Sequence, residues 1–392
     1  MLLTIAISEI VLFLISFKKK IEKTQLYILG VTFLIVAIEL LNNYYLIQGR
    51  TSRVVLFSMY LFLPFIMSLN KKLILYFDKV IKLFCYEHVF FTYFIIIFKE
   101  FYTTAMIPLI AGREIVTKKS LIYWVSNGYN AGITAHYSTN AIYLSIAAIY
   151  FFTKWMNKKD KKNLVIFIIS FLGLILTAKR AHLLIVIASC LFTYFISARK
   201  DEMKKKIKYA TVILICSIIV LSIASIFVPS ILNVVNRFKE GFNNGTLLSG
   251  REEFYNTAIS LWLNKPILGN RWGYFSEYYQ NNIFDLSNPA YNLEYLDCHN
   301  VYLQILCECG LVGFIFIIGL MLFIFYKTIK LVNYHKQSKT FLPQLIFSVC
   351  YQMFFVVYCL CGNPLYDAQC YVIYFIAIGI ILNYLILNCE KR

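Results

Sequence analysis

Apolar runs long enough to cross a bilayer recur along the chain, and no other feature constrains the fold as tightly. A helix needs about 20 mostly apolar residues to cross about 30 Å of hydrocarbon. Eleven such runs are present, near 1–17, 26–47, 53–69, 83–98, 137–153, 164–178, 182–198, 209–228, 305–326, 341–361 and 369–388. They predict an all-α, polytopic transmembrane helix bundle of about 11 spans. The first run has no basic segment before it and no small-residue cleavage site after it, so it reads as a helix and not a signal peptide. Glu87 and His88 sit inside the run at 83–98. Composition agrees: the chain is 60% hydrophobic and 15% charged, where a soluble domain is about 45–50% apolar and about 25% charged. That excludes a water-soluble enzyme, a disordered scaffold and a nucleic-acid binder. The net charge of +18 reads as lysines holding loops against an anionic leaflet of the bilayer.

Lysine and arginine set the orientation. The basic loops 18–24, 70–82, 154–163, 199–208 and 327–340 and the tail 390–392 together hold 25 of the 38 Lys and Arg. They alternate with an opposite set that includes two long loops, 99–136 and 229–304, which translocate with little regard to charge. The expected topology is therefore N-terminus outside and C-terminus cytoplasmic. Residues 1–392 read as one integral membrane domain, with 229–304 as a large extracytoplasmic loop within it. That loop is polar, Asn-rich and aromatic, and loops of such length are normally functional. No metal site is expected, because no Cys-x-x-Cys pair has a matching second pair. Most of the eleven cysteines lie in apolar runs and read as small hydrophobes. No nucleotide-binding or nucleophile-elbow motif is present, and no cofactor is expected.

Four places carry residues suited to chemistry. Ser249-Gly250-Arg251-Glu252 has the pattern of a capping box opening a helix through Trp262, which Pro266 ends and Gly269 and Gly273 follow with turns. The helix is amphipathic and too short to span, so it is expected to lie on the outer membrane surface. Arg251 then falls in its first turn, where a guanidinium can grip a phosphate at the helix start or pair with Glu252 or a lipid headgroup. His299-Asn300 precedes the next apolar run, with Asn300 as N-cap and His299 at the water boundary, either exchanging a proton or serving as a plain interfacial residue. Lys179-Arg180 and His182 interrupt two apolar runs with almost no loop, which requires water, a cavity or an anionic ligand. Lys179 can snorkel, but Arg180 on an outside turn is harder to explain without an anion. His136, behind Asn127-Gly128 and Gly132, is a second interfacial histidine and a weaker candidate.

The run Ser249-Gly250-Arg251, Trp262, Pro266, Gly269, Gly273, His299-Asn300-Val301-Tyr302-Leu303-Gln304, Glu308, Gly310-Leu311 and Gly313 resembles the O-antigen polymerase and O-antigen ligase-like superfamily. The resemblance extends over roughly 170–325 and includes Lys179-Arg180 as the counterpart of a Ser-Arg turn. Two positions depart from the pattern: Lys179 replaces that serine, and Gly269-Asn270-Arg271 replaces a Gly-x-Gly. The resemblance implies a bacterial cytoplasmic-membrane glycosyltransferase without a metal. Its substrate would be an oligosaccharide on undecaprenyl diphosphate, reacting at the outer face. Arg180 and Arg251 would hold the diphosphate, and His299 would orient or deprotonate the acceptor hydroxyl. Lys179, Arg271, Glu252, Asn300 and His136 would line the substrate, with Glu252 or Glu253 as a fallback base. The implied partners are the bilayer, a chain-length regulator and a flippase of the same pathway. A polymerase of repeat units is the favoured reading. A ligase transferring finished glycan shares the same motifs. A flippase or transporter is disfavoured by the absence of repeated halves.

Overall fold

The computed structural model describes residues 63–69, 71–199, 201–205, 207–208, 251–282, 297–338 and 343–389, with isolated positions 30 and 211. The expected spans at 1–17, 26–47 and 209–228, most of that at 53–69, and Ser249-Gly250 lie outside the described residues. In chain order the helices are α1 (Leu63–Leu69), α2 (Lys71–Ile97), α3 (Ile115–Ser126), α4 (Tyr137–Lys158), α5 (Lys161–Leu176), α6 (Arg180–Ile196), α7 (Glu252–Asn264), α8 (Tyr274–Asn282), α9 (Val301–Ser338), α10 (Pro343–Tyr358) and α11 (Ala368–Cys389). Two short helical turns and a π-helix at Tyr102–Met106 lie between α2 and α3. No strand occurs among the described residues. Three of these helices are long and apolar enough to cross a membrane, over Leu73–Ile97, Val301–Lys336 and Ala368–Leu385. Shorter apolar helices occupy Arg180–Ile196 and Pro343–Tyr358.

Three expectations are corrected. The basic segment 70–82 is not a loop, since α2 runs through it from Lys71. Likewise 327–340 is helical as far as Ser338. In both cases lysines spaced along an otherwise apolar helix leave its periodicity intact, and their stems can lie along apolar surface. The segment 99–136 is not an open loop either. Tyr102, Ile107, Ala111, Leu121, Val125 and Ala131 close into a core with Ile95. The Tyr102 hydroxyl donates to the Gly132 carbonyl at 2.9 Å and ties that core together.

The described residues gather into two compact units. One joins Ile74–Ser249 and Leu331–Phe354. In it α4 and α5 form a tight helical hairpin. Lys159 ends α4 in the left-handed conformation, and Asp160 caps α5 by accepting from Asn163 N at 2.7 Å. Helix α5 passes Leu144 and Thr92 at Gly173. A buried polar set fixes the approach to α4: Asn140 Nδ2 donates to the Asn130 carbonyl at 3.1 Å, and Asn130 Nδ2 donates to the Thr92 carbonyl at 2.7 Å.

The other unit joins Met1–Leu73, Gly250–Lys330 and Phe355–Arg392. Here α11 crosses α1 at Gly379, where a side chain would run into Met67 and Pro64, and Asn383 Nδ2 donates to the Ser68 carbonyl at 2.8 Å. Helix α9 is broken at Gly310, with φ 63° and ψ −168°. A break inside an apolar helix exposes backbone groups that lipid cannot satisfy. The segment 266–271 satisfies them. Leu311 N donates to Pro266 O at 2.9 Å and Val312 N to Ile267 O at 3.1 Å, while Asn270 N and Arg271 N reach Cys307 O and Glu308 O at 3.1 and 2.7 Å. Gly269 and Gly310 meet at this crossing, where a Cβ on either would strike the other's backbone.

Candidate functional site

The second unit's compact site forms where the start of α7, the entrance to α9 and the turn between α10 and α11 converge. Arg251 is the N-cap of α7 and not a residue of its first turn, which starts with the exposed Glu252 and Glu253. Two acids there complement the helix dipole. The Arg251 guanidinium donates Nη1 to the Cys361 carbonyl at 2.7 Å. The Arg251 charge also acts on the nearby Tyr255 hydroxyl. A backbone carbonyl therefore aims this cation, and its fork geometry leaves further N–H directions for an anion. On the outer side of α7 and its following turn, Ile259, Leu263, Ile267 and Leu268 are exposed.

Asn300 caps α9: its Oδ1 accepts from Tyr302 N at 3.0 Å and Leu303 N at 3.2 Å. His299 precedes it with φ 59°, in the left-handed region. Its Nδ1 lies 3.4 Å from Asn363 Nδ2, and its ring centroid lies 6.2 Å from that of Phe254. The turn 359–367 thus meets Arg251 through Cys361 and His299 through Asn363. Burial pushes the Cys361 thiol up, against the pull of Arg251. Burial pushes the Cys298 thiol up to about 12. Both sulfurs are therefore neutral near pH 7 and do not compete with a ligand for the arginine's charge.

Behind this surface lies a buried carboxylate. Gln304 and Glu308 are one helical turn apart, so they share a face of α9. Glu308 is fully buried. Its Oε1 accepts from Gln304 Nε2 at 3.1 Å and Phe275 N at 3.3 Å, and its Oε2 accepts from the Tyr366 hydroxyl at 2.8 Å. Gln304 reaches onward to Asp297 at 3.2 Å and takes Cys298 N at 3.1 Å. Tyr366 stacks on Trp272 with centroids 4.8 Å apart. Burial, then the Glu308 charge, raises the Tyr366 hydroxyl well above the usual phenol range, so it stays a donor. A buried acid with this many partners is a structural hub.

Arg271 is placed elsewhere in its chemistry. Its Nη2 holds both oxygens of Glu277 at 2.8 and 2.7 Å, and the guanidinium carbon lies 5.6 Å from the Tyr274 ring centroid. Lys179 and Arg180 belong to the first-described unit, where Lys179 is the N-cap of α6 and Arg180 its first residue. Ala178 ahead of them turns the chain with φ 55°. Lys179 Nζ lies 4.7 Å from the Tyr137 ring centroid. His136 caps α4, its Nδ1 accepting from Ser138 N at 3.0 Å, and its ring packs on Trp124 and Tyr137. Burial, then the Lys179 charge, pushes His136 down to about 4. It is a neutral capping residue near pH 7.

The turn 359–367 is what sequence reasoning left out. Its signals were Gly362 and the Asn363-Pro364 pair, which mark a turn, but nothing local ties them to a histidine 64 residues away. Among the described residues no cluster of His, Cys, Asp and Glu could hold a metal ion.

Long apolar helices, one broken and re-satisfied by a neighbouring turn, with a cation and an imidazole gathered at its entrance, define a helical membrane protein with a polar site at a helix end. Residues 164–318 match the family model described as O-antigen ligase, so this part of the chain is similar to that family. No curated protein matches the chain in sequence.

Proposed function

We propose that this protein polymerises a bacterial surface polysaccharide, joining undecaprenyl-diphosphate-linked oligosaccharide units at the outer face of the cytoplasmic membrane. The observation that carries the reading is the convergence of Arg251 and His299 on one turn, through Cys361 and Asn363. A cation aimed by a backbone carbonyl suits a diphosphate whose charge grows as it leaves. An imidazole on the same turn suits the reacting end of the glycan. The exposed apolar residues of α7 and its turn support a place at the membrane surface, where a lipid-linked donor presents its diphosphate. In this reading N-terminus and catalytic loop face outward and the C-terminus is cytoplasmic, which the bias of lysine and arginine along the sequence supports.

The sugar–phosphate bond breaks with its electron pair going to the lipid diphosphate. A hydroxyl of a second glycan forms the new bond to the anomeric carbon, with inversion. Arg180 remains a candidate for anion contact on the resemblance alone. Glu252 is a candidate base at the surface, Asn300 fixes the entrance of α9, and Lys179 and His136 remain candidates for glycan contact. Arg271 is assigned to holding Glu277, because its fork is already engaged.

The test is reconstitution of the full chain in liposomes with the native lipid-linked repeat unit. A ladder of longer lipid-linked glycans from wild type, lost in Arg251→Ala, supports polymerisation at this site. Transfer only after a second acceptor is added gives the ligase reading. Equal ladders from wild type and Arg251→Ala overturn the site.

A further inference from the structure

The contact between Asn363 and His299 decides what the imidazole can do. Asn363 is 6% exposed. Its backbone is pinned in the turn, its carbonyl accepting from Tyr366 N at 2.9 Å and Asp367 N at 3.2 Å, with Pro364 following. His299 is pinned as well. It holds a left-handed φ of 59° between Cys298, whose N–H is taken by Gln304, and Asn300, whose side chain caps α9. Two side chains on fixed backbones meet at 3.4 Å, Nδ2 to Nδ1.

The amide has two orientations, and they impose opposite tautomers on the ring. With Nδ2 toward the ring, His299 Nδ1 is an acceptor and the proton sits on Nε2. With the amide turned over, Nδ1–H donates to Oδ1 and Nε2 carries the lone pair. The position opposite the ring separates the two. It now holds Asn363 Oδ1, which is buried with no hydrogen-bond partner. Turning the amide would put two N–H donors there instead. An orphaned buried donor is the rarer and costlier defect, whereas an under-satisfied carbonyl oxygen is better tolerated.

We propose that Asn363 is a positioning residue that holds His299 as the Nε2–H tautomer, so that the imidazole offers a hydrogen-bond donor, and not a proton-accepting nitrogen, to the diphosphate of the substrate. The tautomer stands on the geometry alone; its use on a diphosphate rests on the reading given under Proposed function. In the reaction, the acceptor O–H adds to the anomeric carbon and the sugar–phosphate bond breaks. The departing diphosphate keeps the electron pair, and the proton passes to it or to water. His299 gains no proton at any step.

The experiment uses the full chain in lipid nanodiscs, labelled with ¹⁵N-histidine. His299→Gln identifies the His299 signals among the five histidines. The expected spectrum has a bare Nδ1 and a protonated Nε2 from pH 6.5 to 8, and Asn363→Asp moves the proton to Nδ1. A bare Nε2 in wild type overturns the proposal, whatever the enzyme's substrate. Undecaprenyl diphosphate is then titrated in as the probe. His299→Gln, which keeps a donor but cannot act as a base, is expected to bind within about threefold of wild type, whereas His299→Ala and Asn363→Leu lose roughly tenfold, the worth of one charge-assisted hydrogen bond. Equal binding by Asn363→Leu and wild type, with both folded by size-exclusion profile, overturns the positioning role. No binding by wild type overturns the diphosphate assignment and leaves the tautomer to the spectrum.

Discussion

Replacing Gly310 by alanine tests whether the break in α9 is built by the neighbouring turn. Gly310 has φ 63° and ψ −168°, a region used almost only by glycine, where a side chain costs about 1–3 kcal/mol. The added Cβ would also strike the backbone of Ile267 and Gly269. The turn then has to withdraw, and with it the hydrogen bonds to Leu311, Val312, Cys307 and Glu308. Losing half of these at about 0.5–1.5 kcal/mol each adds about 1–3 kcal/mol. The sum of about 2–6 kcal/mol corresponds to a fall in Tm on the order of 8–16 °C at its midpoint, at about 2–4 °C per kcal/mol for a unit of this size. The assay is fluorescence-detected size-exclusion chromatography after a heat ramp. Gly319→Ala on the same helix is the control, since a Cβ there meets nothing within 4 Å. It is expected to be neutral or to stabilise by up to about 1 kcal/mol, as glycine-to-alanine does inside a helix. A Gly310→Ala protein as stable as Gly319→Ala would refute the account of the break.

Three further outcomes are expected. Glu308→Ala strands the Tyr366 hydroxyl and Phe275 N, at about 1–3 kcal/mol for each group left buried and unpaired, while Gln304 Nε2 keeps Asp297; Glu308→Gln should lose well under half as much in the same heat ramp. Arg251→Lys should lower turnover of the reconstituted enzyme by about 10²-fold or more, because an ammonium cannot both hold the Cys361 carbonyl and grip a phosphate as a fork; equal rates would remove the arginine from the site. His136 is depressed to about 4 in the folded chain, while in the unfolded chain it titrates near 6.5. The unfolded state therefore binds the extra proton, and stability falls as pH drops from about 6.5 to about 4, by at most about 2–3 kcal/mol. His136→Asn, which keeps a capping side chain, should flatten that part of the Tm-against-pH curve.

Much of the chain was legible because the signals are local. Apolar runs separated by polar punctuation predict α4, α5, α6, α10 and α11, which lie close to their expected bounds. Asn300 opens α9, and α7 ends just before Pro266, because a cap and a proline act on their own neighbours. Arg251 stands at a helix start as its motif predicts, displaced by two positions from the first turn to the N-cap. The basic segments 70–82 and 327–340 misled for the converse reason. Positive charge marks where a chain meets a membrane surface, and a helix can continue through that surface without a break.

What tertiary structure alone decided are the partners. Arg251 finds a carbonyl 110 residues on, His299 an amide 64 residues on, and Glu308 a phenol 58 residues on. Nothing in the neighbourhood of any of these residues specifies the other, because the pairing depends on where α10 turns into α11. The break at Gly310 is of the same kind. A glycine permits that backbone, but it persists because residues 266–271 supply the hydrogen bonds the helix gives up. The sequence by itself determined the helical, apolar character of the chain and the bounds of helices such as α4, α5, α6, α10 and α11, since periodicity and capping are properties of short stretches. Which turn aims the arginine, which amide sets the histidine's proton, and where the carboxylate is buried were decided only by packing, since they depend on contacts between segments distant in the chain.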